Sequence, residues 1–424
     1  MPTIGRITAT MLLVLVAMPS FAGQLTLEKC LQQASAANRS LKLAAIDEQV
    51  AADGKQIARS GYLPRIDFQG GYTSQKDPQA VKFGPKPTET QDANFGFYNI
   101  SLTQTLYDFG KTGSRYRRAT LLQESAGYDY SGREKETFLQ VVQAYYGIMQ
   151  ANKILKAADE EMEQRREHLR IAGNLYEQGV VTRNDVLQAE VKLAESKQRR
   201  LAAANQIENT WLLLNFLIGQ PLQSRGELEE QIALPQVGIS DTMVQTALTK
   251  RPELTAIEKR VQAAEAEVGE TRSGYYPEIY GKLAVDYVEN SKVTEQAIMS
   301  ATVGLRVNLF DGLATTSRLR QSVKSLSRTR ENKRLLEDQI RVELQTAVND
   351  LQLAAEQIKT VETAIKQGEE NLRINKDRYQ EQVGTATEVL DAQTLLTQIK
   401  TDYYNATFAY QVAVARVRKA MGEL

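Results

Sequence analysis

The chain carries one pattern twice, and a duplication this long confines it to a fold built from two copies of one unit. Residues 60–66 read Ser-Gly-Tyr-Leu-Pro-Arg-Ile, and residues 273–279 read Ser-Gly-Tyr-Tyr-Pro-Glu-Ile. In the same register Glu28, Ala34, Leu41, Ala51 and Arg59 face Asp241, Ala247, Leu254, Ala264 and Arg272. The register shortens once, between Pro64 and Leu106 of the first copy, and then holds to the end. Leu106-Tyr107-Asp108 meets Leu309-Phe310-Asp311, Tyr176 meets Tyr379, Val186-Leu187 meets Val389-Leu390, and Gly219 meets Gly422. Each unit is about 190–200 residues, a duplicated domain rather than a short solenoid repeat. The copies run over residues 23–219 and 241–424, joined by a connection at 220–240 that holds Pro221 and Pro235.

Lys and Arg number 52, as do Asp and Glu, so no basic field suggests a nucleic-acid partner. A single histidine and a single cysteine argue against a His/Cys metal cluster or a Cys-His nucleophile pair, and no cofactor is expected. Gly110-Lys111-Thr112 matches the end of a phosphate loop, but position 105 is threonine where that loop needs glycine. The chain is therefore not expected to be an enzyme. Cys30 aligns with Met243, which predicts a buried apolar role.

Residues 1–22 read as a signal peptide. Arg6 precedes an apolar stretch from Met11 to Met18, and Ser20-Phe21-Ala22 fits a small-x-small cleavage site. No later stretch is apolar and long enough for a membrane helix. Any membrane span of an exported chain must then come from strands.

Strands are present in both copies, over about 64–108 and 277–311. Ile66, Phe68, Gly70 and Tyr72 share one face, followed by a loop from Gln75 to Gln91. Tyr98, Ile100, Leu102 and Leu106 then alternate with Asn99, Ser101, Thr103 and Thr105. In the second copy Ile279, Leu283, Val285 and Tyr287 alternate with Lys282, Ala284 and Asp286; Ala301 to Leu309 alternates likewise. Segments of about ten residues with one apolar face are the pattern of membrane barrel strands. Four strands cannot close a barrel, and open edges are not tolerated in lipid. The barrel must be shared between chains, eight strands from two or twelve from three; the arithmetic alone does not choose.

The remaining sequence predicts helices. An opening helix is expected from Leu27 to Ser60. Proline-free runs from about 111 to 178 and 314 to 382 predict helices about 100 Å long. The second carries a heptad through Ile340, Leu344, Ala347, Leu351, Ala354, Ile358, Val361 and Ile365, matched by Thr137, Val141, Ala144, Ile148, Ala151, Leu155, Ala158 and Met162. Each long helix ends in a tip, where Gly179 and Gly384 supply turn freedom. Thr182 with Asp185, and Thr385 with Glu388, fit the Thr-x-x-acid box that starts a returning helix, over about 182–218 and 385–421. His168 lies among Arg165, Arg166, Glu167 and Arg170, read as a solvated or lumen-facing stretch.

These residues resemble those of the TolC-type outer-membrane efflux family over essentially the whole mature chain. The resemblance rests on the duplication, on Tyr-x-Pro at 62–64 and 275–277, and on Leu-Tyr/Phe-Asp at 106–108 and 309–311. Val383-Gly384-Thr385 with Val389-Leu390-Asp391-Ala392 completes it. It implies a homotrimer in the outer membrane of a Gram-negative bacterium. A twelve-stranded barrel, four strands per chain, would continue into a long periplasmic α-helical barrel. The resemblance also implies a passive exit duct of tripartite efflux or type I secretion. Its tips would dock to a periplasmic membrane-fusion adaptor and, through it, to an inner-membrane pump of RND, ABC or MFS type.

Docking would use Gly179, Val180, Val181, Thr182, Val383, Gly384 and Thr385. A periplasmic gate would use Glu388 and Asp391, with Asp185 as the first-copy counterpart of Glu388, where capping competes as a reading. Some relatives carry a basic residue after Val-Gly-Thr; here it is Ala386, leaving Arg183 as the basic candidate at the tips. The rival to the duct is an exported coiled-coil scaffold or adhesin without channel activity.

Overall fold

The computed structural model describes residues 24–82, 84–230, 234–235, 238, 240 and 242–424. The expected signal peptide over 1–22 lies outside the described residues, as does part of the connection at 220–240. Each copy opens with a broken helix, which corrects the single helix expected from Leu27 to Ser60. The first copy begins α1 (Leu27–Ala37), α2 (Arg39–Arg59). Asn38 makes the break: its Oδ1 accepts from the Ser40 and Leu41 amides, restarting the chain as a new helix. Its Nδ2 donates to the Leu217 carbonyl at 2.8 Å, tying the break to a distant helix. In the second copy the break falls at Arg251, between helices over Met243–Lys250 and Pro252–Arg272. The proline keeps the residue before it out of the helical region.

The strands are β1 (Arg65–Ser74), β2 (Ala80–Lys82), β3 (Pro87–Glu89), β4 (Asn94–Tyr107), β5 (Glu278–Val288) and β6 (Ala297–Arg306). The four long ones form one antiparallel sheet in the order β1-β4-β5-β6, so strands from the two copies pair at its centre. The register stacks Ile66, Leu102, Leu283 and Ala301 in one row, and Phe68, Ile100, Val285 and Met299 in the next. The opposite face carries Asp67, Ser101, Ala284 and Ser300, then Arg65, Thr103, Lys282 and Thr302. A bulge between Thr105 and Tyr107 ends the regular alternation of β4. The strand β6 stops at Arg306, so Val307 and Leu309 lie beyond the alternation expected of them. The expected loop from Gln75 to Gln91 contains the small β2–β3 hairpin. Its far side holds the second copy's turn, where Asn290 Nδ2 donates to the Thr90 carbonyl and the Ser291 amide to Asp92.

The helices after the sheet are α3 (Lys111–Glu177), α4 (Arg183–Ile218), α5 (Met243–Lys250), α6 (Pro252–Arg272), α7 (Ala314–Gln380) and α8 (Ala386–Ala420). At 67 residues, α3 and α7 each span about 100 Å. The helix α3 packs against α2, α4, α6 and α8, and α7 against α6 and α8. Ile340, Leu344, Ala347, Leu351, Ala354 and Ile358 are buried in the α7 seam, with Val141, Ala144 and Ile148 in that of α3. Cys30 is fully buried beside Ala34, Val141 and Trp211, as its apolar character requires. The chain start and the connection lie together along α3: Leu25 bridges Leu228, and Tyr145 donates to the Glu229 carbonyl at 2.8 Å.

Candidate functional site

The sheet is the first part of the site. Its apolar face is bare: Phe68 is 70% exposed, Met299 83% and Val303 77%. Strands β1 and β6 are both unpaired edges. Exposed aromatic side chains mark both ends of the apolar band. Tyr62, Tyr107, Phe109, Tyr276 and Phe310 gather where sheet meets helices, with Phe109 stacked on Tyr276 at 5.0 Å. Near the other end Tyr98 stacks on Tyr287 at 4.7 Å, and Tyr72 is exposed. An apolar band between aromatic girdles is what a lipid-facing barrel wall requires. No described helix is long and apolar enough to cross a membrane.

The tips are the second part. Their backbones are closely alike. In the first, the Gly179 amide bonds the Tyr176 carbonyl and the Val180 amide bonds that of Leu175; in the second, Gln382 bonds Tyr379 and Val383 bonds Arg378. The left-handed residue is Gly179 (φ 74°) in the first tip but Gln382 (φ 63°) in the second. This corrects the role given to Gly384, which has no positive φ. Gly384 is required by crowding: a Cβ there would lie 3.0 Å from Arg378 Cβ and 3.2 Å from a Glu388 carboxylate oxygen.

Both acidic candidates at the helix starts act as caps. The Thr182 amide and hydroxyl donate to Asp185 Oδ2 at 2.9 and 2.8 Å. The Thr385 amide donates to Glu388 Oε2 at 2.9 Å, and the Glu388 amide returns a bond to Thr385 Oγ1 at 3.3 Å. Glu388 also lies 3.6 Å from Arg378 Nη1, an ion pair open to solvent. Asp391 is exposed on α8 and has no ion pair among the described residues, while the following Ala392 is buried. Val180 and Val383 are exposed at 43% and 68%, and Val181 is half-buried. Ala386 is buried in a cluster with Leu372, Tyr379, Val389, Ala392 and Leu396. Arg183 is exposed and pairs with no carboxylate among the described residues.

Arg165 and His168 do not lie on a wet face, which corrects the solvated or lumen-facing reading for these two. Arg166, Glu167 and Arg170 are solvated, but Glu161, Arg165 and His168 are only 2%, 1% and 4% exposed. Arg165 crosses to α8, donating to the Leu390 carbonyl at 3.1 Å and to Thr394 Oγ1 at 2.7 Å. Arg199 of α4 holds Glu161 at 2.6 Å. His168 stands beside the Tyr379 ring, centroids 5.4 Å apart. A signal for this was present: Ala144, Ala151 and Ala158 step by seven, and the same step reaches Arg165 and Ala172. Charged side chains continuing such a register are seam residues.

Comparison with known proteins agrees with this geometry. The sequence model of the family described as outer membrane efflux protein matches residues 30–220 and 243–423. The alkaline protease secretion protein AprF of Pseudomonas aeruginosa is 22% identical over 397 residues, covering 90% of this chain and 81% of AprF. The outer membrane protein TolC of Vibrio cholerae is 21% identical over 401 residues, covering 92% and 89%. The outer membrane channel CmeC of Campylobacter jejuni superposes with a TM-score of 0.83 at 18% identity, covering 94% of this chain and 85% of CmeC. With nearly all of both copies matched, the chain belongs to the outer membrane efflux protein family, a family of channel proteins.

Proposed function

We propose that three copies close one barrel in the outer membrane and form a passive exit duct through the periplasm. The duct serves a tripartite efflux or type I secretion system and catalyses no reaction. The observation that carries this reading is the bare apolar sheet with two open edges, since unpaired strand edges are not tolerated in lipid. Strand β6 of one copy pairs with β1 of the next, and the ring closes at twelve strands.

The duplication supports the same ring among the helices. On α6, Ala256 and Ala263 are buried within the chain, while their first-copy counterparts on α2, Leu43 and Val50, are 64% and 63% exposed. On α8, Leu390 is buried, while its counterpart on α4, Leu187, is 47% exposed. Faces that one copy covers internally are left for a neighbouring chain in the other.

The tips, through Gly179, Val180, Val181, Thr182, Val383, Gly384 and Thr385, dock to a periplasmic adaptor that couples the duct to an inner-membrane pump. Threefold repetition sets Glu388 and Asp391, with Asp185, around the periplasmic opening, and a carboxylate ring there favours cations. Planar-bilayer recording tests this. The wild-type trimer conducts with cation preference, and Glu388→Ala with Asp391→Ala alters conductance and weakens that preference. Unchanged single-channel traces remove these two residues from the narrowest point. A water-soluble monomer without conductance removes the duct.

A further inference from the structure

Among the described residues, seven buried side-chain polar atoms lack a hydrogen-bond partner, and four of them gather at one place near the second tip. They are Arg165 Nε and His168 Nε2 on α3, the Tyr379 hydroxyl on α7 and Gln393 Oε1 on α8. His168, Tyr379 and Gln393 line one cavity of 490 Å³ between these helices. Unpaired buried polar groups are rare in folded proteins, and four beside one cavity call for an explanation. Tyr379 is the penultimate residue of α7, and Arg165 binds the carbonyl of Leu390, the residue before Asp391. The contact therefore grips the turn of α8 that carries the proposed gate.

We infer that His168 is a proton-operated release for the periplasmic tip: its neutral imidazole lets α3 stay seated on the α7–α8 hairpin, and protonation loosens that seat. The inference rests on the duct reading and names a regulation of its gate. The groups that face the imidazole set the direction. On α3 these are Arg165, a buried cation, and the carboxylates of Glu160, Glu163 and Glu167 at the cavity mouth. On α7 they are Lys376 and Tyr379; on α8, the uncharged Gln393; and on α4, at longer range, Asp185. The mouth carboxylates are engaged elsewhere, Glu160 with Lys400, Glu163 with Arg166 and Glu167 with Arg170. Arg165 and Lys376 are thus left to oppose a third positive charge.

Burial, with Arg165 and Lys376 beside it, holds the imidazole down to about 4. A group whose folded-state pKa is depressed in this way favours the seated form above its ordinary value. That preference is lost as pH falls from about 6.5 towards 4. If the released imidazole titrates normally, the ratio of released to seated tips rises roughly 30-fold at pH 5 relative to pH 8.

The chain has one histidine, so a trimer purified on a histidine-free tag gives a single imidazole resonance. In the wild-type trimer its midpoint is expected at about 4. Open probability in planar bilayers is expected to rise on acidification from pH 8 to pH 5. His168→Gln and His168→Phe, the second keeping a ring against Tyr379, are expected to abolish that rise while conducting normally at pH 8. A midpoint near the ordinary 6.5, or an acid response unchanged in both variants, overturns the inference. A trimer that conducts at no pH sinks the duct reading instead, and the resonance still reports on the buried imidazole.

Discussion

The two tips have nearly the same backbone and very different surroundings. Tyr176 is 46% exposed, whereas its counterpart Tyr379 is 6% exposed. Leu187 is half in solvent, whereas Leu390 is buried. The capping boxes and turn bonds repeat because they depend on residues three to five apart. The surroundings differ because α8 leans on α3 within the chain, and α4 has no equivalent neighbour. Local sequence therefore builds each tip, and the order of helices around the assembly decides what each tip touches. Arg165 belongs to the same contrast: its counterpart on α7 is Gly368, whose missing side chain leaves room for Ile399 and Leu396.

The contrast can be broken most sharply at that arginine. Arg165→Leu takes a buried partner from Glu161 and the donor from Thr394 Oγ1, and is expected to cost about 3 kcal/mol, measured by chemical unfolding of the trimer. The same change at the solvated Arg166 is expected to cost under about 1 kcal/mol. Next in size, Leu390→Ala is expected to cost about 2–4 kcal/mol whatever the assembly state. Leu187→Ala instead is expected to act on trimer dissociation, measured by native mass spectrometry across protein concentrations. Equal effects on both readouts would erase the distinction between an internal and an external face.

Smaller effects come from the turns. Gln382→Gly is expected to raise stability by about 1 kcal/mol, because a left-handed glutamine is strained. Gly179→Ala is expected to lower it by about as much for the same reason, though its Cβ would meet open space. Smallest, Asp185→Asn and Glu388→Gln are each expected to cost about 0.5–1 kcal/mol in thermal unfolding, since each box keeps part of its bonding. Glu388→Gln also loses the Arg378 pair, so a larger value there measures that pair.

Much of the fold was legible because it is periodic. The alternation of Phe68, Ile100 and Val285 gave the sheet face, and the step of seven from Ile340 gave the α7 seam. The capping boxes were legible as four-residue patterns. What escaped depended on distant partners. The break at Asn38 needs the Leu217 carbonyl, which no local reading supplies. The left-handed Gln382 escaped because glycine two residues later offered the simpler turn. His168 and Arg165 escaped because α3 is packed by five helices, so one apolar stripe does not account for all of its buried positions. At the proposed gate, Glu388 was readable as a cap from spacing alone, while Asp391 has no ion pair among the described residues and its proposed role depends on the other copies.

The open edges of the sheet carry a last consequence. A chain whose β1 and β6 await neighbours has no private folded state in lipid, so its fate is decided collectively and its stability depends on protomer concentration. One copy with a blocked edge spoils the whole ring. In a cell making intact and edge-blocked chains in equal amounts, about one ring in eight would be free of the defect. The function that remains would then follow the cube of the healthy fraction, making such a variant dominant.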